Sequence, residues 1–183
     1  MFGWIFLGLL ALAAFFAVGL YNRLVSLRNS SESAWSDVDV QLKRRWDLVP
    51  NLVETVKGYA RHEESTFSKV TEMRSRAMAE TDPAAKASAE NGLTRALRSL
   101  FAVAEAYPEL KASQNFLSLQ ADLGKVEEAI QNARRYYNAV VRDLNTSCET
   151  FPSNLVANAF SFSRKEYFEL DDEGERSAPA VSF

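Results

Sequence analysis

The chain opens with a run of apolar residues that contains no charged side chain. The run extends from Phe2 to Leu20 and reads FGWIFLGLLALAAFFAVGL. As a helix, these 19 residues span roughly 28 Å at about 1.5 Å per residue, close to the roughly 30 Å of a bilayer's hydrocarbon core. The pattern therefore predicts a membrane-spanning helix at the N-terminus.

The alternative interpretation of this run is a cleaved signal peptide. No basic residue precedes it, and the helical pattern continues through Tyr21 and Asn22 without a turn. The best cleavage candidate, Ala17–Gly19, is a poor match to the small-residue sites of signal peptides. We therefore expect residues 1–22 to remain as an anchor, with residues 2–21 in contact with the lipid bilayer.

Aromatic and basic residues mark the two ends of the predicted span. Trp4 and Tyr21 lie where amphipathic rings prefer the membrane interface, and Arg23 follows directly. Arg28 adds a second charge on that side, whereas no lysine or arginine precedes the span. The positive-inside bias predicts a single-pass protein of the cell (inner) membrane, with its N-terminus outside and the rest of the chain in the cytoplasm.

Beyond the span, apolar residues recur at alternating steps of three and four. Ten of the 13 positions in the first such series are apolar or aromatic. The series is Trp35, Val38, Leu42, Arg45, Val49, Leu52, Val56, Tyr59, Glu63, Thr66, Val70, Met73 and Ala77. This spacing predicts one long helix with coiled-coil-like packing, kinked rather than ended at Pro50.

Two further helices follow from stop and start signals. Asp82 and Pro83 fit the cap and first position of a second helix that ends near Glu105. Pro108 opens a third helix, whose 3-4 register includes Leu123 and Ile130 and continues to Phe151 before Pro152.

The predicted fold class is all-α. An N-terminal transmembrane helix (1–22) continues into a long antiparallel three-helix bundle (23–158), because short connections make neighbouring helices antiparallel. Residues 159–183 are acidic and then rich in serine, alanine and proline, so we predict a disordered C-terminal tail.

Charge and cysteine usage narrow the choice of partners. The chain has 21 basic and 24 acidic residues and a net charge of −3, which predicts no nucleic-acid partner. Cys148 is the only cysteine, so no intrachain disulfide can form, which is consistent with a reducing compartment.

The stretch Asp39–Glu63, which is rich in charged residues, carries no recognisable reaction centre. His62-Glu63 resembles part of a metalloprotease motif, but the second histidine is missing because residue 66 is threonine and His62 is the only histidine. Cys148 and His62 could pair as a nucleophile and base, but Cys148 adjoins a core position where thiols are usually inert. We expect no catalytic residue, no metal and no cofactor.

The charges of this stretch separate into two groups. Arg45 and Glu63 fall within the apolar register, where we favour cross-helix ion pairs over a buried cluster for a ligand. The other polar residues fall off the register and form an exposed face. The candidate interaction residues of that face are Asp47, Asn51, Lys57 and His62.

Five blocks of sequence, in this order, resemble the bacterial LemA family. They are YNRLVSLRN, AWSDVDVQLKRRWDLVPNLVETVKGYARHE, EAYPELKASQNFLSLQADL, EEAIQNARRYYNAVVRDLN and FPSNLVA, and together they cover roughly residues 20–160. The resemblance implies a single N-terminal anchor, an all-α antiparallel bundle in the cytoplasm and no established enzymatic activity. Trp46 and the segment SFSRKEYF depart from the family pattern.

Two functional hypotheses follow. The first is a membrane-anchored helical scaffold, not an enzyme, that forms a homo-oligomer or docks an unidentified membrane or cytoplasmic protein. The alternative is a ligand-binding or enzymatic bundle that uses the polar block 39–63. The missing metal ligands and nucleophile motifs favour the scaffold.

Overall fold

A computed structural model of the chain describes residues 2–170. This range contains helices and connecting segments and no strand, so the predicted all-α class is confirmed. The helices are α1 (Phe2–Lys57), α2 (Glu64–Ala79), α3 (Pro83–Glu105), α4 (Pro108–Lys111), α5 (Gln114–Glu149) and α6 (Ser153–Ala159).

The chain divides into two compact units, and α1 and α5 each contribute to both. The first unit contains the chain up to Gln41 together with Ile130–Tyr167. The second unit contains Leu42–Ala129 and, at the end of the described chain, residues 168–170.

In the first unit, α1 and α5 lie side by side and run in opposite directions. The Trp35 and Tyr137 rings have centroids 5.1 Å apart. Leu24, which comes earlier in α1, shares a buried cluster with Leu144, which comes later in α5. The two contacts together show that α1 and α5 are antiparallel, although no short connection joins them directly.

The helix α6 closes back on this pair through a left-handed residue at its end. Ser161 has φ 58°, a conformation that costs a non-glycine residue energy and occurs mainly at helix C-termini. The Phe162 amide donates to the Ala157 carbonyl at 2.9 Å, and the Ser161 amide donates to the Asn158 carbonyl at 3.4 Å. This pair of bonds is a Schellman motif, and it directs Phe162 onto the cluster formed by Leu24, Leu144 and Ala157.

The chain after α6 has no regular secondary structure and is held by side chains of α5. The Asn145 amide donates to the Lys165 carbonyl at 2.9 Å, and its oxygen accepts from the Lys165 amide at 2.9 Å. The Tyr137 hydroxyl donates to the Glu166 carbonyl at 2.9 Å. Residues 162–167, at the start of the predicted disordered tail, are therefore fixed against α5, while residues 171–183 of that tail lie outside the described residues.

In the second unit, the last part of α1 and the first part of α5 pack with α2, α3 and α4 around an apolar core. The short link between α2 and α3 makes them an antiparallel pair. The Asp82 carboxylate accepts from the Ala84 and Ala85 amides at 3.1 and 3.0 Å, with Pro83 at the first helical position, as the sequence predicts. The buried aliphatic residues of α1 in this unit are Leu42, Val49, Leu52, Val53 and Val56.

The predicted long first helix is wrong beyond Lys57. The chain leaves the helix over residues 58–63 and resumes as α2, which carries the later members of the register, Val70, Met73 and Ala77, in buried positions. Gly58 stands at the break, where its backbone freedom makes continued helix costly. Tyr59, expected in the core, is 45% exposed because it lies in this connection.

Pro50 lies inside α1, and the helix continues through it. A proline has no amide hydrogen, so the carbonyl one turn earlier, that of Trp46, loses its helical donor. The Arg74 Nε of α2 donates to that carbonyl at 2.7 Å. The side chain of a neighbouring helix therefore replaces the missing backbone bond.

The predicted third helix is also divided, and it ends earlier than expected. Residues 112 and 113 separate the short α4 from α5, and α5 ends at Glu149. Phe151, placed in the core by the register, is 76% exposed because it lies beyond the helix end. Leu123 and Ile130 are 4% and 0% exposed, so their predicted core positions are confirmed.

Candidate functional site

The apolar beginning of α1 is exposed along its length. Of the helices in residues 2–170, α1 is the one long and apolar enough to cross a membrane. Trp4, near its start, is 81% exposed. Tyr21, just past the apolar run, contacts the rings of Phe160 and Phe162 at centroid distances of 4.8 and 5.8 Å, and Arg23 is exposed.

Arg45, the basic residue in the α1 register, is buried in the second unit and joins three helices. Its Nη1 donates to Glu90 Oε2 of α3 at 2.7 Å, and its Nη2 donates to Thr94 Oγ1 at 2.8 Å. The same Nη2 lies 2.9 Å from Glu127 Oε1 of α5. The cross-helix ion pair favoured for Arg45 is therefore present, and it is almost fully enclosed, since the residue is 1% exposed.

Glu90 is the acidic centre of this cluster. Its Oε1 accepts from the Trp46 indole Nε1 at 2.6 Å, so both of its carboxylate oxygens have a donor. The Lys86 ammonium lies 5.6 Å from the centroid of the Trp46 ring, within the range of a cation–π contact. We refer to Arg45, Trp46, Glu90, Thr94 and Glu127 as the buried polar cluster.

Burial raises the pKa of the Glu90 carboxyl above its ordinary value of 4.5, because an ionised carboxylate loses its hydration. The Arg45 charge and the donors from Trp46 and Arg45 oppose this shift, and the nearby Glu127 charge adds to it. One guanidinium is shared by two carboxylates, which limits how far it can compensate for the desolvation of Glu90.

Sequence reasoning identified Arg45 but missed its main partner. Glu90 and Lys86 continue the 3-4 spacing of Leu93, Leu97 and Leu100 toward the start of α3, and both are buried. A charged residue that stands in an apolar register is the signal that could have found them, because it is the same signal that singled out Arg45. The sequence alone did not show that Arg45 and Glu90, the two charged residues in apolar registers, contact each other.

The four candidate interaction residues are exposed but do not form one cluster. Asp47 and Asn51 are one turn apart on the same face of α1. Lys57 is the last residue of α1, 3.9 Å from the Glu54 carboxylate, and His62 is exposed in the connection to α2.

An open groove lies between the end of α1 and the start of α2. Its volume is about 600 Å³, and it brings Lys57 together with Arg61 and with two acidic residues. The lining residues are Val53, Glu54, Lys57, Arg61, Glu64, Phe67, Ser68 and Thr71. This mixed lining could hold a polar group but contains no nucleophile–base pair.

The thiol and metal candidates do not assemble into a centre in the described part of the chain. Within residues 2–170, no three side chains of histidine, cysteine, aspartate or glutamate lie close enough together to hold a metal ion. Cys148 is half-buried against the Leu24 cluster, and burial followed by the Glu149 charge raises its thiol pKa. A raised pKa lowers the thiolate fraction and therefore the reactivity of this cysteine.

These features define an all-helical protein whose first helix begins with a segment able to cross a membrane and continues into a bundle with a buried ionic cluster. A sequence model of the LemA family matches residues 34–183. The chain therefore belongs to the LemA family, as its sequence blocks indicate.

The similar proteins include LemA and magnetosome proteins. Protein LemA of Metamycoplasma hominis is 28% identical over 162 residues, which cover 86% of this chain and 73% of that protein. Magnetosome protein MamQ 2 of Paramagnetospirillum magneticum is 26% identical, and MamQ of Magnetospirillum gryphiswaldense is 24% identical. Both alignments cover 92% of this chain and 72% of the relative, and none of the three names denotes an enzyme.

Proposed function

We propose that this protein is a membrane-anchored helical scaffold that self-associates or docks a partner protein, and that it is not an enzyme. On this proposal residues 2–21 cross the cell membrane once, and the bundle lies on the cytoplasmic side. Some of its relatives are named as magnetosome proteins, and these names, which denote no enzyme, support a non-enzymatic role.

The observation that carries the proposal is the way the charges of the polar block are distributed. The charge that faces the core, Arg45, is paired with the buried Glu90 and with Glu127, whose side chain is partly exposed. The remaining candidates, Asp47, Asn51, Lys57 and His62, are displayed on the surface along α1 and the connection that follows it. An enclosed ionic cluster favours a defined packing of helices, and an exposed polar face favours recognition.

The test is the mass of the full chain purified in mild detergent, together with the proteins that copurify with it. We expect a mass above that of the 20.5 kDa monomer or a reproducible copurifying protein. Single changes of Asp47, Lys57 and His62 to alanine should weaken association while leaving the free energy of unfolding within about 0.5 kcal/mol of the parent. A monomer without partners would contradict the proposal.

The second candidate, a ligand-binding bundle, is favoured by the groove at the end of α1. Lys57 and Arg61 provide cationic groups beside the acidic Glu54 and Glu64, a pattern suited to a small zwitterionic or peptide ligand. Association that survives the Lys57→Ala and Arg61→Ala changes, with loss of binding of such a ligand, would favour this candidate over the scaffold.

A further inference from the structure

Residues 151–162, which include α6 and are called the α6 turn below, expose large apolar side chains. Phe151 is 76% exposed, Leu155 is 60% exposed and Phe160 is 61% exposed. The side of α6 that packs on the bundle uses other residues, since Val156, Ala157 and Phe162 belong to the cluster around Leu24. Phe151 and Leu155 therefore lie outside this packing, and Phe160 stays largely exposed although one side of its ring contacts Tyr21.

This turn lies at the height along α1 where the apolar run ends. Glu149, the last residue of α5, is 12 positions after Tyr137, and Arg23 is 12 positions before Trp35, the residue that Tyr137 contacts. Equal rise along two antiparallel helices places the end of α5 level with Arg23. The contact of the Phe160 ring with Tyr21, at 4.8 Å between centroids, confirms this level.

Tyr21 follows directly on the last residue of the predicted span, Leu20. A side chain that touches Tyr21 from outside α1 therefore stands where the headgroups of a spanned bilayer begin. Aromatic and aliphatic side chains at that depth gain free energy by entering the boundary between headgroups and acyl chains.

The charges near this turn also suit a lipid surface. Arg23 is exposed at this level, and the Arg28 guanidinium lies 5.4 Å from the centroid of the Phe162 ring. The nearby acidic residue Glu149 is paired with Arg164 at 2.8 Å. Cationic side chains beside apolar ones are the combination that binds anionic headgroups.

We propose that the α6 turn is a second membrane contact, with Phe151, Leu155 and Phe160 inserted into the headgroup–acyl boundary of the bilayer that α1 crosses. The proposal rests on the anchoring role proposed above for residues 2–21. It makes α5 and α6, and not α1 alone, responsible for the orientation of the first unit on the membrane.

The experiment measures the depth of a fluorescent label on the full chain in vesicles of equal parts phosphatidylcholine and phosphatidylglycerol. An environment-sensitive nitrobenzoxadiazole label is placed at position 155 by Leu155→Cys in a Cys148→Ala background. Matched labels are placed in the same background by Ser33→Cys, an exposed site of α1 about 18 Å beyond Tyr21, and by Leu10→Cys within the span. Each label is titrated with lipids brominated in the upper acyl chain and with aqueous iodide.

We expect the label at position 155 to have blue-shifted emission, to be quenched by the brominated lipid and to be protected from iodide. The label at position 33 should have unshifted emission, should be quenched by iodide and should not be quenched by the brominated lipid. The label at position 10 should be quenched by the brominated lipid whether or not α6 contacts the membrane. If position 10 is quenched by lipid while position 155 behaves like position 33, the α6 proposal is overturned and the anchor stands.

Two other outcomes are also decisive. If neither position 10 nor position 155 is quenched by lipid, the anchoring role itself fails and the α6 proposal fails with it. If position 155 is protected from iodide but is not quenched by lipid, a protein surface such as a second copy of the chain covers α6, and the membrane contact is overturned.

Discussion

At the scale of single residues, the buried polar cluster is the feature with the largest energetic consequence. Arg45 and Glu90 are both almost fully buried, and the Arg45 Nη1 donates to the Glu90 Oε2 at 2.7 Å. Such a pair contributes little net stability compared with apolar residues of the same size, but removing one partner leaves a buried charge without compensation. The cluster should therefore be sensitive to single changes and tolerant of matched double changes.

The first prediction is that Arg45→Met destabilises the protein by about 3–5 kcal/mol, because Glu90 stays buried without its guanidinium. Combining it with Glu90→Gln should recover part of the loss, since the amide oxygen can still accept from Trp46 while the charge is gone. Chemical denaturation of the chain in detergent measures both values. Lys43→Met, an exposed neighbour, is the control and should change the free energy of unfolding by less than about 0.5 kcal/mol. Equal effects of Arg45→Met and the control would contradict the enclosed ion pair.

The second prediction concerns pH. Because the pKa of Glu90 is raised in the folded state, folding favours its protonated form. Its contribution to stability is therefore fully present below the unfolded pKa of about 4.5 and is lost as the pH rises from there through the folded pKa. The free energy of unfolding of the parent, minus that of Glu90→Gln, should fall over this range. A difference that rises with pH would show that Arg45 lowers the Glu90 pKa below its ordinary value.

At the scale of elements, Pro50 shows how a helix tolerates a residue that should interrupt it. The register across Pro50 predicts a helix that is kinked rather than ended there, and α1 continues for seven residues beyond it to Lys57. The Arg74 side chain of α2 supplies the hydrogen bond that Pro50 cannot, so the continuity of one helix depends on a residue 28 positions from Trp46.

The third prediction is a coupling between these two positions. Pro50→Ala restores a backbone donor for the Trp46 carbonyl and should stabilise the protein by up to about 3 kcal/mol. Arg74→Met should cost about 1.5–3 kcal/mol in the parent, where it removes a charged donor from that carbonyl. The same change should cost less in the Pro50→Ala background, because the backbone amide of the substituted residue then donates to the Trp46 carbonyl.

A double-mutant cycle on thermal or denaturant unfolding measures this coupling. Arg76→Met, an exposed change in the last turn of α2, is the control and should have the same effect in both backgrounds. Strict additivity of Pro50→Ala and Arg74→Met would mean that Arg74 does not compensate for the proline.

At the scale of the whole molecule, the apolar start of α1 is the segment able to cross a membrane, and the proposed orientation rests on the charges beside it. Arg23 and Arg28 follow the span, and no lysine or arginine precedes it. The proposed location of the bundle in the cytoplasm depends on this asymmetry.

The fourth prediction is that a reporter active only in the cytoplasm, fused after Phe183, is active in cells, and that one active only outside is inactive. A variant with Arg23→Gln, Arg28→Gln and two lysines inserted after Met1 carries its positive charges on the other side of the apolar run. Part of the protein population should then adopt the opposite orientation in the membrane. Activity of the external reporter on the parent chain would place the bundle on the other side of the membrane.

Local sequence determined the fold class, the apolar span, the capped start of α3 and the core positions Leu123 and Ile130. Each depends on residues within one or two turns of each other, so spacing and capping chemistry are sufficient to predict it. The membership of Arg45 in an ion pair was also predictable, because a charge in an apolar register requires a partner.

Tertiary structure alone decided which distant residues meet. The 3-4 register of the sequence continues past Gly58, but the chain turns there. Packing of α2 against α3 buries Val70, Met73 and Ala77, so one continuous helix is not needed to bury them. The directions of the helices and their relative positions along their axes decide which side chains pair. They bring Glu90 to Arg45, Arg74 to the Trp46 carbonyl and Phe160 to Tyr21. Side-chain periodicity carries no information about those, since it records which face of a helix is covered and not what covers it.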